Sequence, residues 1–352
     1  MAITKESFGM TKNGEAATLY TMENANGMKV AVTDFGANIV KILVPDRNQE
    51  FADVALGYAS VEGYEKNSPG YGSLIGRHAN RIGGAKFVIN GKEYELEKND
   101  NGNNLHSGSK SFNKYMYEAE LAEGEESDSI EFSRTSPDME QGFPGNLNLS
   151  VKYTLTDDNE LILEYYAVSD QDTIINLTNH SYFNLAGHNS GDILDHTVTI
   201  YADLFTPTSD DLIPTGEIAE VEGTPMDFRE PKKIGRDIEA DYYPLKQGGG
   251  YDHNYCLNKE DDEIALAAEL SDEKSGRYML VYTDLPGIQF YTGNFIDGTE
   301  IGKDGMCYQK RGGVCFETQY FPNSCNRPNF PSCVFKAGEE YCTATIYKFG
   351  CR

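Results

Sequence analysis

No stretch of this chain keeps an apolar repeat at helical spacing for three turns, and that absence constrains the fold more than any motif does. In its place are short runs of alternating apolar and polar side chains, cut at close intervals by Gly, Asn, Asp and Pro. Residues 17–22 and 28–33 flank Asn26-Gly27, a dipeptide that accepts the positive φ of a tight hairpin turn. Residues 37–44 then run into a turn at Pro45-Asp-Arg-Asn48. Together these runs predict a β-meander across 16–58. Residues 86–89 and 92–96 around Asn90-Gly91 predict another hairpin, and 60–65 one short helix that Gly63 keeps brief. Further strands are expected at 128–134, 148–156, 160–168, 197–201, 263–270, 278–282, 288–294, 313–321 and 340–349. So many short strands with so little helix point to an all-β fold, a large antiparallel β-sandwich. No shift in composition marks a boundary, so residues 1–352 are expected to form a single domain.

The length is enough to bury a sizeable core, and 39% hydrophobic residues, with 23 tyrosines and 17 phenylalanines, supply one. Against 30 basic side chains stand 56 acidic ones, and the formal net charge of −26 repels phosphodiester backbones and anionic lipid. No nucleic acid and no membrane surface is therefore expected as a partner, and a phosphorylated substrate is disfavoured. The first ten residues have neither an apolar signal core nor a small-residue cleavage pattern, and no apolar run approaches bilayer-spanning length. Seven cysteines, at 256, 307, 315, 325, 333, 342 and 351, are odd in number and include no C-x-x-C pair. They signal neither a zinc site nor a redox dithiol, and reduced thiols in a cytoplasmic protein are expected.

The six histidines, at 78, 106, 180, 188, 196 and 253, show no H-x-H or H-E-x-x-H spacing, so no metal is expected. The stretch Asn176-Leu-Thr-Asn-His180-Ser-Tyr182-Phe-Asn-Leu follows strand 160–168 and a turn at 169–172, and reads as the second strand of a hairpin. Strand periodicity puts Asn176, Thr178, His180 and Tyr182 on one face, with Ile175, Leu177 and Phe183 on the other. Such a polar row suits a small polyhydroxylated ligand, and equally an internally paired face with a satisfied histidine. Glu317 is a carboxylate inside the apolar run Gly313-Val-Cys-Phe-Glu317-Thr-Gln-Tyr-Phe321. Burying it is costly without a partner, so it is either ion-paired with an arginine or a general base held by neighbouring donors. Arg77 and Arg81, among small residues in Gly76-Arg-His-Ala-Asn80-Arg81-Ile-Gly-Gly84, are surface arginines or ligand contacts. His106 lies in a turn-rich loop, and Asp252, after three glycines, reads as an Asx turn at least as readily as a ligand contact.

Taken together the motifs resemble one family, the aldose 1-epimerases or galactose mutarotases. Its stretches are matched by Gly76-Arg-His-Ala-Asn-Arg-Ile82, Asn103-Asn-Leu-His106, Gln141-Gly-Phe-Pro-Gly-Asn146 and Asn176-Leu-Thr-Asn-His-Ser-Tyr-Phe-Asn-Leu185. They continue with Thr224-Pro-Met-Asp-Phe-Arg229, Tyr251-Asp-His-Asn254, Gln289-Phe-Tyr-Thr-Gly-Asn294 and Glu317-Thr-Gln319, in family order. The resemblance implies a galactose mutarotase-like supersandwich that holds a monosaccharide in an open cleft, with Glu317 as the base and His180 as the acid. It further implies that Asn80, Arg81, His106, Tyr182, Asp252 and Gln289 hold the pyranose, that Arg81 and His106 stabilise charge on its oxygens, and that no cofactor is needed. Asn176 and Thr178 are expected to support the His180 imidazole without touching substrate.

Three positions depart from the family pattern: His78, Ser107-Gly108 after His106, and Gly70-Tyr71-Gly72. None is the expected acid or base, and they bear on the rim of the cleft. Competing readings are a glycosidase using Glu317 and Asp252, a sugar-binding module without catalysis, and a hexose-6-phosphate epimerase. The last would need a basic cluster for the phosphate, and this acidic chain shows none. A monomer or a homodimer acting on galactose, glucose or a pentose is expected.

Overall fold

Where alternation and turn chemistry are strongest, the backbone follows them. In the computed structural model, which describes residues 3–123, 127–260 and 263–352, Thr4–Met10, Ala16–Glu23, Lys29–Thr33, Asn38–Pro45 and Phe51–Asp53 form a five-stranded antiparallel meander. The Asn90-Gly91 turn joining Lys86–Ile89 to Lys92–Glu95 has φ of 53° and 79°, the left-handed pair that a two-residue hairpin needs. The short helix is Val61–Lys66.

A nine-stranded antiparallel sheet forms the largest layer, in the order Glu118–Glu123, Ser127–Ser136, Leu147–Thr156, Glu160–Ser169, Glu340–Cys351, Arg277–Thr283, Ala265–Ser271, Thr197–Ile200, Lys232–Lys233. Glu160–Ser169 and Arg277–Thr283 bury every second side chain, as a strand packed on one face must. A second sheet runs Ala219–Glu220, Leu204–Phe205, Asp252–Cys256, Gly287–Tyr291, Cys315–Gln319. Leu161, Leu163 and Tyr165 of the first sheet share one buried cluster with Ile288, Phe290 and Phe316 of the second. Each such side chain stabilises the packing by roughly 1.5–3 kcal/mol. The all-β sandwich expected from the sequence is the architecture found.

One pairing differs from expectation. Glu160–Ser169 pairs with Leu147–Thr156 and Glu340–Cys351, and the segment after it is no hairpin partner. The strand there is only Thr178–His180, and it pairs with Ser73–Ile75, a hundred residues upstream. Asn179 and Ser181 on its other face are buried as well, so the chain here has buried polar residues on both sides and is not the second strand of a hairpin. Thr4–Met10 carries no alternation because it is a largely exposed edge strand. All seven cysteines are free thiols, and among the described residues no helix is long and apolar enough to cross a membrane.

Candidate active site

Three segments distant in sequence meet at one end of the second sheet. Antiparallel register sets Glu317 opposite Gln289 and Cys315 opposite Tyr291; the next strand sets Asn254 opposite Gln289 and Asp252 opposite Tyr291. The chain after His180 then docks alongside, with Phe183 and Val314 exchanging backbone hydrogen bonds of 2.8 and 3.0 Å. Continuing that antiparallel count brings His180 opposite Glu317. Its Nε2 lies 3.5 Å from Glu317 Oε1.

A second contribution comes from two clasped loops. Asn104 and Leu105 pair with Ile82 and Arg81; beyond them His106 N donates to Asn80 O at 3.1 Å, and Asn80 N donates to His106 Nδ1 at 3.1 Å. Asn80, His106 and Ser107 sit at φ of 61°, 51° and 67°. Left-handed backbone at a histidine and a serine is strained, and the reciprocal hydrogen bonds hold it. Ser107 Oγ accepts from His78 N at 2.8 Å and donates to His78 O at 3.1 Å, so this departure from the family pattern serves as the fastener of the two loops. His78 itself is fully buried. Gly70, the third departure, lies against the His180 ring at φ 80°, where an added Cβ would stand 3.7 Å from its Cγ.

These residues surround a cavity of about 280 Å³ lined by Asn80, Arg81, His106, His180, Tyr182, Asp252 and Glu317, with the buried Tyr71 and Tyr291 and the exposed Phe295 completing its wall. Seven of the eight residues expected at the site thus line it. Gln289 does not; its Nε2 donates to Asp252 Oδ1 at 2.7 Å and its Oε1 accepts from Gln319 at 3.2 Å, so it orients Asp252 from behind. Arg81 lies between two carboxylates, Nε at 2.8 Å from Asp100 and NH1 at 3.5 Å from Asp252. Burial opposes its charge, yet those partners outweigh it and hold the guanidinium above its ordinary range. Tyr182 donates its hydroxyl to Pro69 O at 2.8 Å.

Burial dominates the electrostatics of the pair. It pushes Glu317 well above the ordinary carboxyl range, with Asp252 adding to the effect and Arg81 opposing it. It holds His180 down to about 4 and His106 well below the usual histidine value. Glu317 Oε2 is buried without a hydrogen-bond partner. His106, His180 and Glu317 each bring one possible metal-ligand atom within 4.8 Å of the others. However, Nδ1 of His106 accepts the Asn80 N–H, which puts the ring's proton on Nε2, and such a ring offers a donor at that nitrogen, not a lone pair.

Other residues take places that the sequence did not assign. Arg77 is fully buried and donates to Pro144 O at 2.6 Å, Gly145 O at 3.0 Å and Ser136 Oγ at 2.8 Å. It pins the 141–146 loop and is neither a surface residue nor a site residue; burial lowers it to about 10. Asn176 grips the backbone of Tyr320 through both ends of its amide, at 3.2 and 2.9 Å, so it ties down the chain beyond Glu317 and does not support the imidazole. Thr178 Oγ1 has no hydrogen-bond partner, so no bond of its own steadies the ring. The group at His180 Nδ1 is the thiol of Cys315, 3.6 Å away. Its position two residues before Glu317, on the same strand face, was a usable signal, as was Tyr291 two residues after Gln289.

Comparison with known proteins agrees with this geometry. The aldose 1-epimerase family model matches residues 18–348. A galactose mutarotase of Rattus norvegicus is 44% identical over 349 residues, 99% of each chain. An aldose 1-epimerase of Escherichia coli K12 is 34% identical over 346 residues, 98% of each. The crystal structure of a galactose 1-epimerase from Lactobacillus acidophilus superposes with a TM-score of 0.88 at 27% identity, covering 99% of both chains. With its motifs, its sandwich and near full-length similarity in accord, this chain belongs to the aldose 1-epimerase family.

Proposed function

We propose that the chain interconverts the α and β anomers of free aldohexoses such as galactose and glucose, with Glu317 as base and His180 as acid. The observation that carries this is the facing of Glu317 Oε1 and His180 Nε2 at 3.5 Å in a cavity sized for one sugar. Glu317 takes the proton of the C1 hydroxyl while Nε2 gives one to the ring oxygen, and the pyranose opens to an aldehyde. Rotation about C1–C2 and closure on the other face, with the proton transfers reversed, invert C1. Two proton transfers and no change of oxidation state need no cofactor.

Before a sugar binds, burial disfavours both charges, so the shared proton rests on Glu317 and the imidazole is neutral. The sugar's hydroxyls replace the lost solvation, while Arg81 favours the carboxylate of Glu317 and Asp252 the imidazolium of His180 that react. The unpartnered Oε2 of Glu317 is free for a sugar hydroxyl. Asn80, Arg81, His106, Tyr182 and Asp252 hold the pyranose, His106 through its Nε2–H, while Gln289 acts through Asp252. Site residues drawn from Asn80 to Glu317 support one domain as the working unit, and seven free thiols suit a reducing cytoplasm.

The test is polarimetric relaxation of fresh α-D-galactose, α-D-glucose and glucose 6-phosphate side by side. The first two are expected to relax faster with enzyme and the third not. Glu317→Gln and His180→Asn should each lower kcat by roughly 10²–10⁴-fold. Unchanged rates in either variant would remove the acid–base assignment.

A further inference from the structure

His180 is held from both ends by one strand face. Glu317 Oε1 stands at its Nε2 and Cys315 Sγ, two residues earlier on the same strand, at its Nδ1, at 3.5 and 3.6 Å. We propose that Cys315 is a positioning residue for the reaction, its sulfur accepting the His180 Nδ1–H so that Nε2 alone exchanges a proton with the sugar ring. The proposal rests on the assignment of His180 as the acid.

An imidazolium that donates from Nε2 to the ring oxygen becomes a neutral ring still protonated at Nδ1, and the return step needs that Nε2 lone pair. A ring that settled as the Nε2–H tautomer would have no lone pair facing the opened sugar, and giving up its proton would leave an imidazolate. Something must therefore hold Nδ1–H, a task that a carboxylate performs in other acid–base histidines. Here the position belongs to a neutral sulfur, a weak acceptor. Burial pushes the Cys315 thiol far above its ordinary range, so it stays S–H and forms no thiolate–imidazolium pair. Orientation without charge leaves the ring's low proton affinity intact, at about 4, which makes the imidazolium a stronger acid toward the ring oxygen. The carbonyl of His180 also favours the charged ring; it accepts the Gly72 N–H at 3.1 Å and its second lone pair competes with the Cys315 sulfur for Nδ1–H, a competition that the Cys315→Ala tautomer resolves. Ring contacts with His106 and Tyr182, at centroid distances of 5.2 and 5.0 Å, fix the plane of the imidazole without offering Nδ1 an acceptor.

The experiment is ¹⁵N NMR of the whole enzyme labelled at histidine, with His180 assigned by its loss in His180→Asn, alongside polarimetric kcat and KM. Wild type is expected to show neutral His180 protonated at Nδ1. In Cys315→Ala the population should move toward the Nε2–H form, with kcat down about tenfold and KM within about twofold, because an uncharged orienting partner counts for less than the ~10⁴ of a carboxylate. Cys315→Ser, whose hydroxyl also accepts, should recover part of the loss. A wild-type ring protonated at Nε2 would overturn the proposal, as would a Cys315→Ala enzyme whose tautomer is unchanged, whatever its kcat. If the alanine variant does not fold, the wild-type spectrum and the serine variant still decide. Full activity in His180→Asn would refute the acid assignment itself, whereas an inactive His180→Asn beside a normal Cys315→Ala would refute only the role of Cys315.

Discussion

A carboxyl and an imidazole 3.5 Å apart in a desolvated cleft titrate as a pair, and the singly protonated pair is the form that can both take and give a proton. Burial raises the affinity of Glu317 for that proton and lowers that of His180 to about 4. Below the lower limit the pair gains a second proton and loses its base; above the upper limit it has none to give. The kcat/KM profile should therefore be bell-shaped, with an acid limb near pH 4 and a basic limb well above the ordinary carboxyl value of 4.5. An acid limb at the usual histidine value of 6.5 would contradict the burial argument. Glu317 was legible in the sequence because an ionisable group inside an apolar strand needs a reason. Its partner was not legible from local pattern, since the two residues lie far apart in the chain and meet only through strand register.

Turns decide how the elements dock, and two glycines separate local from tertiary demands. Gly91 sits at φ 79° in an exposed hairpin with open space where a Cβ would go. Gly72 sits at φ 67°, and a Cβ there would stand 1.9 Å from the carbonyl oxygen of Ile39. Ile39 N in turn donates to Gly72 O at 2.8 Å, so this glycine seats the segment leading to Ser73–Ile75, and hence its partner Thr178–His180, on the meander. Gly91→Ala should cost about 1 kcal/mol of stability and Gly72→Ala about 3 kcal/mol or more, since the first pays only for backbone conformation and the second adds a clash. Urea titration of both variants checks this, and equal costs would mean that the close approach is relieved by movement. The Asn-Gly signal at Gly91 could be read from sequence; the crowding at Gly72 needed its neighbour.

On the scale of the molecule, pH acts through its buried histidines. His180, His196 and His253 are all held at about 4 by burial. Each is depressed in the fold relative to the unfolded chain, so between about pH 6.5 and 4 the unfolded state binds more protons. Their contribution is complete above 6.5 and is lost as pH falls through that window, at ~1.4 kcal/mol per unit and on the order of 3 kcal/mol each. Glu317 acts in the opposite sense: its raised affinity favours the fold below 4.5, and this is lost as pH rises through its folded value. Denaturation from pH 7 to 4.5 should show stability falling with proton uptake. His196→Gln, outside the cleft, should reduce that slope; an unchanged slope would place the titration elsewhere. His196 accepts the Leu185 N–H at 2.9 Å, which keeps it neutral in the fold.

What the sequence determined by itself was whatever is encoded over a few residues: the alternation that makes strands, the Asn-Gly turns that reverse them, and the chemical character of Glu317 and His180. It also assembled, through ordered motifs, the residues that line the cleft. Tertiary structure decided which strands became neighbours, because pairing joins segments such as Ser73–Ile75 and Thr178–His180 that no local pattern links. That choice moved Asn176 from the imidazole to Tyr320, set Gln289 against Asp252, buried Arg77 as a structural pin, and brought Cys315 to His180. Side-chain roles at the site depend on distances of a few ångströms between such segments, and those distances exist only once the sheets have closed on their common core.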